Sequence, residues 1–61
     1  MKGLFYYPGN NHKYVVIMKV KAKDPTTGKW YKSVLYKGVE DGKFYVRDLK
    51  DFLTKFIKIS E

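Results

Sequence analysis

The chain predicts a mainly β domain: a small antiparallel SH3-like barrel, or a strongly bent meander sheet, with one short C-terminal helix. Three observations carry that expectation. Apolar residues recur with a period of two in separate stretches, the mark of half-buried strands. Turn signals of the hairpin kind divide those stretches. Only one segment, after Arg47, changes to helical spacing.

Taken in order, residues 4–7 are aromatic enough to pair with a sheet edge or to close a barrel. Residues 14–23 follow as a strand. From Val16 onward the even positions Val16, Met18, Val20 and Ala22 are apolar, while Lys19, Lys21 and Lys23 hold the odd ones, a lysine row on the wet face. Asp24-Pro25-Thr26-Thr27-Gly28-Lys29 then reads as a hairpin turn. Pro25 presets φ, Asp24 can bond the backbone two residues on, and Gly28 can turn left-handed. The next strand, residues 30–36, alternates less cleanly because Val34-Leu35-Tyr36 is apolar on both faces. One face is expected to meet the main core, the other a terminal segment or a closing strand, in a central position. Asp41-Gly42 signals a second hairpin, and residues 43–47 form a third strand with Phe44 and Val46 on one face, Tyr45 and Arg47 on the other.

Leu49, Phe52, Leu53 and Phe56 then fall at i, i+3, i+4 and i+7, which predicts a helix of about two turns near residues 48–56 that buries all four. Asp48 takes the N-cap, and Asp51, three residues on, stands where a capping box has Glu. Ile57-Lys58-Ile59 alternates again as a last short strand. The order of elements is that of an SH3-like barrel, which speaks for shape and not for activity.

At 61 residues the chain is a single small domain, 1–61, in which folding removes about 60% of the unfolded chain's surface from water. One tryptophan, six tyrosines and four phenylalanines suit so small a core, and core-building is the first reading of any one ring. With no cysteine there is no disulfide or thiolate chemistry, and His12 alone cannot hold a zinc ion, so no metal and no cofactor is expected. The apolar run at the start is short and interrupted by Pro8, and no segment approaches the ~20 apolar residues of a spanning helix. The expectation is a soluble, cytoplasmic protein without a membrane partner. His12 sits in a polar loop, and the six acids are taken by turns (Asp24, Glu40, Asp41), the helix cap (Asp48, Asp51) and the C-terminus (Glu61). That leaves no paired-carboxylate site and no phosphate-cradling glycine loop, so neither an enzyme nor a small-molecule substrate is expected.

Thirteen Lys/Arg against six Asp/Glu give a net charge of +7, a field that draws polyanions or an acidic protein face. Lys19, Lys21 and Lys23 repeat at about 6.6–7 Å, twice the rise per residue. With Lys32 and Arg47 on neighbouring strands of that face, and Trp30 or Tyr45 among them, phosphate contacts combine with platforms for unpaired bases. The plainer reading is an edge whose lysines keep the sheet from pairing with other chains. Arg47, the single arginine, can grip a carboxylate or phosphate with two N–H groups. Its structural alternative, slightly favoured, is a pair with Asp48, Asp51 or a turn carboxylate that fixes the helix on the sheet.

Tyr14-Val15-Val16, Val34-Leu35-Tyr36 and Tyr45-Val46-Arg47, followed by the Phe52-Leu53 pair, resemble the pattern of a family of short bacterial and phage-borne proteins grouped as a domain of unknown function. The similarity runs over roughly residues 6–59. This chain departs from the pattern at Asp48, where the family often has proline, and at Tyr7-Pro8-Gly9-Asn10. The resemblance implies a small β domain in a phage or bacterial setting and no activity. Two functions fit: a nucleic-acid-binding module that uses the lysine and aromatic face, or a phage-encoded interaction factor that docks on an acidic surface of a host protein and modulates it in the host cytoplasm. A monomer is expected in either case.

Overall fold

The structure, a computed structural model, describes residues 3–60; Glu61, read above with the C-terminus, lies outside the described residues. Five strands and one helix follow in the order β1 (Gly3–Tyr7), β2 (His12–Lys23), β3 (Trp30–Gly38), β4 (Phe44–Asp48), α1 (Leu49–Lys55) and β5 (Ile57–Ser60). All strands pair antiparallel in one open sheet, β4-β3-β2-β1-β5. Of the two expected shapes the open meander is realised, with β4 and β5 as its edges and β3 in the interior, between β4 and β2.

Local chemistry sets the two hairpins that the sequence announced. At the first, the Thr26 N–H donates to the Asp24 carboxylate at 2.8 Å, the Gly28 N–H to the Asp24 carbonyl at 2.7 Å, and Gly28 takes φ +74°. At the second, the Lys43 N–H donates to the Asp41 carboxylate at 2.9 Å and Gly42 takes φ +67°. Both glycines occupy the left-handed region that side chains avoid.

The long strand β2 does not keep one phase. Val16 lies opposite Tyr36, but Met18 lies opposite Leu35, so Ile17 is an extra residue bulged out of the ladder. Side chains alternate with a period of two, and one inserted residue moves everything beyond it to the opposite face. Val16 is therefore buried while Met18 is 52% exposed, and Lys19, Lys21 and Lys23 take the face that Val16, Val34 and Tyr36 share. The expected run of buried even positions holds at Val16 and fails beyond it, with Val20 and Ala22 half-buried.

On that inner face Phe5, Tyr14, Val16, Val34, Tyr36, Phe52 and Phe56 form the core. Phe52 lies fully buried, stacked on Phe56 at 4.1 Å, with Phe5 edge-on at 4.9 Å and Tyr36 at 5.1 Å. The helix begins as predicted, Asp48 capping it by accepting from the Asp51 N–H at 3.1 Å. Its apolar stripe is narrower than predicted. Phe52 and Phe56 face the sheet and Leu49 is half-buried, whereas Leu53, about 100° round the helix from Phe52, is 55% exposed. One sheet face is all the helix has to pack against.

The two-sided apolar character of β3 has an unexpected outcome. The terminal segments extend the sheet edge to edge as β1 and β5 instead of covering its second face. Val46, Leu35 and Met18 stand in one cross-strand row of that outer face, with Phe44, Lys37, Val15 and Leu4 in the next. Phe44 is 62% exposed there, and Val46 and Val15 are also open to solvent.

Candidate nucleic-acid interface

The central hairpin outruns the sheet. β1 flanks β2 only as far as Val16, and β4 flanks β3 only as far as Ser33. From Lys21 outward, β2 and β3 continue as a ribbon of two strands that no further strand among the described residues pairs with, ending in the Asp24–Lys29 turn. This arm helps make the molecule elongated, with extents of 33 × 20 × 20 Å.

Strand register decides what the arm displays. Lys21 lies directly opposite Lys32, Lys23 opposite Trp30 and Lys19 opposite Val34, and directly opposed residues share a face. Lys19, Lys21, Lys23, Lys32 and Trp30 therefore come together on one side of the arm. All five are exposed, and the Lys23 ammonium stands 5.9 Å from the Trp30 ring centroid. Where the arm meets α1, Lys19, Val20, Lys21, Lys32 and Leu49 line an open cleft of about 410 Å³. Among the described residues lining it there is no carboxylate, and none of the four lysines forms an ion pair with a described acid. A neighbouring cleft of about 400 Å³, lined by Tyr31, Lys32, Asp48, Leu49 and Lys50, brings Lys50 to the same corner.

Arg47 and Tyr45 share this sheet face but are occupied. The Arg47 Nη1 donates to Asp51 at 2.7 Å and its Nε to the Tyr36 hydroxyl at 3.2 Å, with the guanidinium 5.4 Å from the Phe56 ring centroid. The Tyr36 hydroxyl first, and Asp51 second, raise the Arg47 pKa further above its ordinary value. Arg47 in turn, and then Lys55 at 2.9 Å, hold the Asp51 carboxyl below the usual range. This is the structural role the sequence favoured: Arg47 ties β4 to the helix. The Tyr45 hydroxyl donates to Asp41, which pushes the phenol up to about 12 and lowers Asp41, while its ring stacks on Tyr36 at 5.5 Å. Tyr45 is a clamp on the second hairpin and a wall of the core, with its face covered.

His12 opens β2 instead of lying in a loop, and its Nε2 stands 3.1 Å from a Glu40 carboxylate oxygen at the surface. Two features escaped the sequence reading. Lys50 joins the cationic corner only because the helix starts beside the arm. The open outer face was foreshadowed by the doubly apolar Val34-Leu35-Tyr36, whose second covering is absent among the described residues. Comparison of the chain with known protein families, curated proteins and solved structures gives no match.

Proposed function

We propose that the protein is a small basic module that binds nucleic acid through the face of its hairpin arm. The observation that carries this is the abreast pair Lys21 and Lys32, with Lys19 and Lys23 beside them and none of the four in an ion pair with a described acid. Like charges directly opposite each other on a sheet destabilise it. Such a cluster gains from a polyanion that brings negative charge between the ammonium groups and releases counterions from the phosphates. Trp30, the open ring on this face, adds a stacking or cation–π contact.

The test is a fluorescence-polarisation titration with labelled oligonucleotides at two salt concentrations. The triple variant Lys19→Ala, Lys21→Ala, Lys23→Ala should bind unrelated sequences more weakly by a similar factor, because phosphate contacts carry no base information. It should keep its fold, and its affinity should depend less steeply on salt, by about 0.7 to 0.9 in log–log slope per lost contact. No binding by the parent protein near 50 mM salt, conditions that favour electrostatic association, retires this reading.

The apolar outer face favours a second reading: a factor that docks on a host protein, in the phage or bacterial setting the family resemblance implies. Exposed apolar patches of this kind mark protein contacts, and Lys13 and Lys37 would meet acidic groups of that partner. Val46→Asp with Met18→Asp, which charges this face without touching the arm, separates the two readings. It abolishes capture of a host protein while oligonucleotide binding persists.

A further inference from the structure

Resting on the nucleic-acid reading, the geometry points to a specific mode: the arm enters the major groove of double-helical DNA as a two-stranded ribbon. Stacking recognition of a single strand demands a series of open rings, since successive bases each take a platform. Tyr14, Tyr36 and Tyr45 share the arm's face, but they contact one another and Phe56 in the core cluster. Trp30 alone among the rings of that face, within the described residues, is largely exposed, at 63%. One platform beside four lysines describes a surface that meets a regular array of phosphates and groove-edge acceptors.

Shape agrees with charge. The ribbon beyond the sheet comprises the pairs Lys21–Lys32, Ala22–Tyr31 and Lys23–Trp30 and the turn that joins them. Three residue pairs advance about 10 Å at the strand rise, and the turn lengthens the projection further, enough to reach the floor of a groove about 8.5 Å deep. Two strands about 4.8 Å apart, with side chains, fit a major groove about 12 Å wide, which admits a two-stranded ribbon, and not a minor groove of about 6 Å. The deep, narrow major groove of A-form RNA is closed to it. Among the described residues no strand flanks the ribbon on either edge, and the start of α1 stands beside only its base. Once seated, the turn and the Lys23–Trp30 pair at the outer end of the ribbon lie nearest the groove floor, and Lys21 and Lys32, abreast at its base with one from each strand, meet the phosphates of the two groove walls. Lys19, nearer the sheet, meets the phosphates of the groove wall.

The experiment compares one labelled B-form duplex, its separate strands and an RNA duplex of the same sequence, all with the intact chain at low salt. Dimethyl sulfate then probes guanine N7 in the bound duplex, and netropsin serves as a minor-groove competitor. The expected result is at least tenfold tighter binding to the DNA duplex than to either strand or to RNA, with guanine N7 protected and netropsin without effect. Lys21→Ala with Lys32→Ala should weaken duplex binding at least tenfold and flatten the salt slope by about 1.8, two contacts at about 0.9 each, with an unchanged circular dichroism spectrum. Equal or tighter binding to single strands, unprotected N7, or displacement by netropsin overturns the groove mode and leaves nucleic-acid binding standing. No binding to any of the three overturns both.

Discussion

Replacing Phe52 by alanine, beside the same change at Leu53, tests the packing of the helix most directly. Periodicity gives these neighbours the same role; the structure separates them. Phe52 is fully buried, its ring 4.1 Å from Phe56, 4.9 Å from Phe5 and 5.1 Å from Tyr36, while Leu53 is 55% exposed. Removing a buried phenylalanine costs about 3–5 kcal/mol, by lost transfer energy and by the cavity left among rings that cannot close over it. A chain of 61 residues has a total stability of roughly 3–9 kcal/mol at the usual per-residue values, so Phe52→Ala removes a large part of it. At about 4–8 °C per kcal/mol for a domain this small, the melting temperature falls by at least about 12 °C. Leu53→Ala should stay within about 0.5 kcal/mol, as surface changes do. Thermal and urea denaturation followed by circular dichroism measure both. Equal losses in the two variants, or a larger loss at Leu53, would refute the inner-face assignment of the helix.

Three further outcomes follow from the same contacts. Asp48→Ala removes the acceptor for the Asp51 N–H and should cost about 1 kcal/mol, read from the urea midpoint, with Asp48→Asn retaining most of it. Tyr45 has a phenol raised from 10.0 to about 12 by its bond to Asp41. A raised folded-state pKa stabilises below the unfolded value and is lost as pH climbs through the folded one. Stability should therefore drop between pH 10.0 and about 12 more steeply in the parent than in Tyr45→Phe, and identical alkaline profiles would count against the bond. At the acid end, Asp51 is held below its ordinary 3.8 by Arg47 and Lys55. Its contribution is present above that value and disappears as pH falls below it, a loss that Asp51→Asn should not show.

How far the fold was legible depends on the range over which each feature is decided. Local bonds decide the two hairpins, so Asp24 with Gly28 and Asp41 with Gly42 announced them. The Asp48 cap is likewise a contact between near neighbours in the chain. The lysine face was legible as a set of residues with one period. Its position was not, because the Ile17 bulge resets the phase of β2 against β3, and only the partner strand's register reveals an extra residue. That slip puts Lys21 beside Lys32 on the core side of the sheet. Arg47 and Tyr45 were placed on the right face, and a carboxylate pair such as that from Arg47 to Asp51 was the slightly favoured reading, whereas the hold of the Asp41 turn on Tyr45 was not legible because it is made across space.

By itself, then, the sequence determined that this chain makes antiparallel strands with tight turns at Asp24–Lys29 and Asp41–Gly42, sets a capped helix before a last short strand and carries a strong positive charge. Each of these depends on residue types within a few positions of one another. Tertiary structure alone decided that the sheet stays open and that Leu53 faces water. It decided too that β1 and β5 widen the sheet without covering its outer face, and that the lysines gather on a free two-stranded arm. These depend on which strands pair and in what register, a competition among long-range contacts that local spacing does not encode.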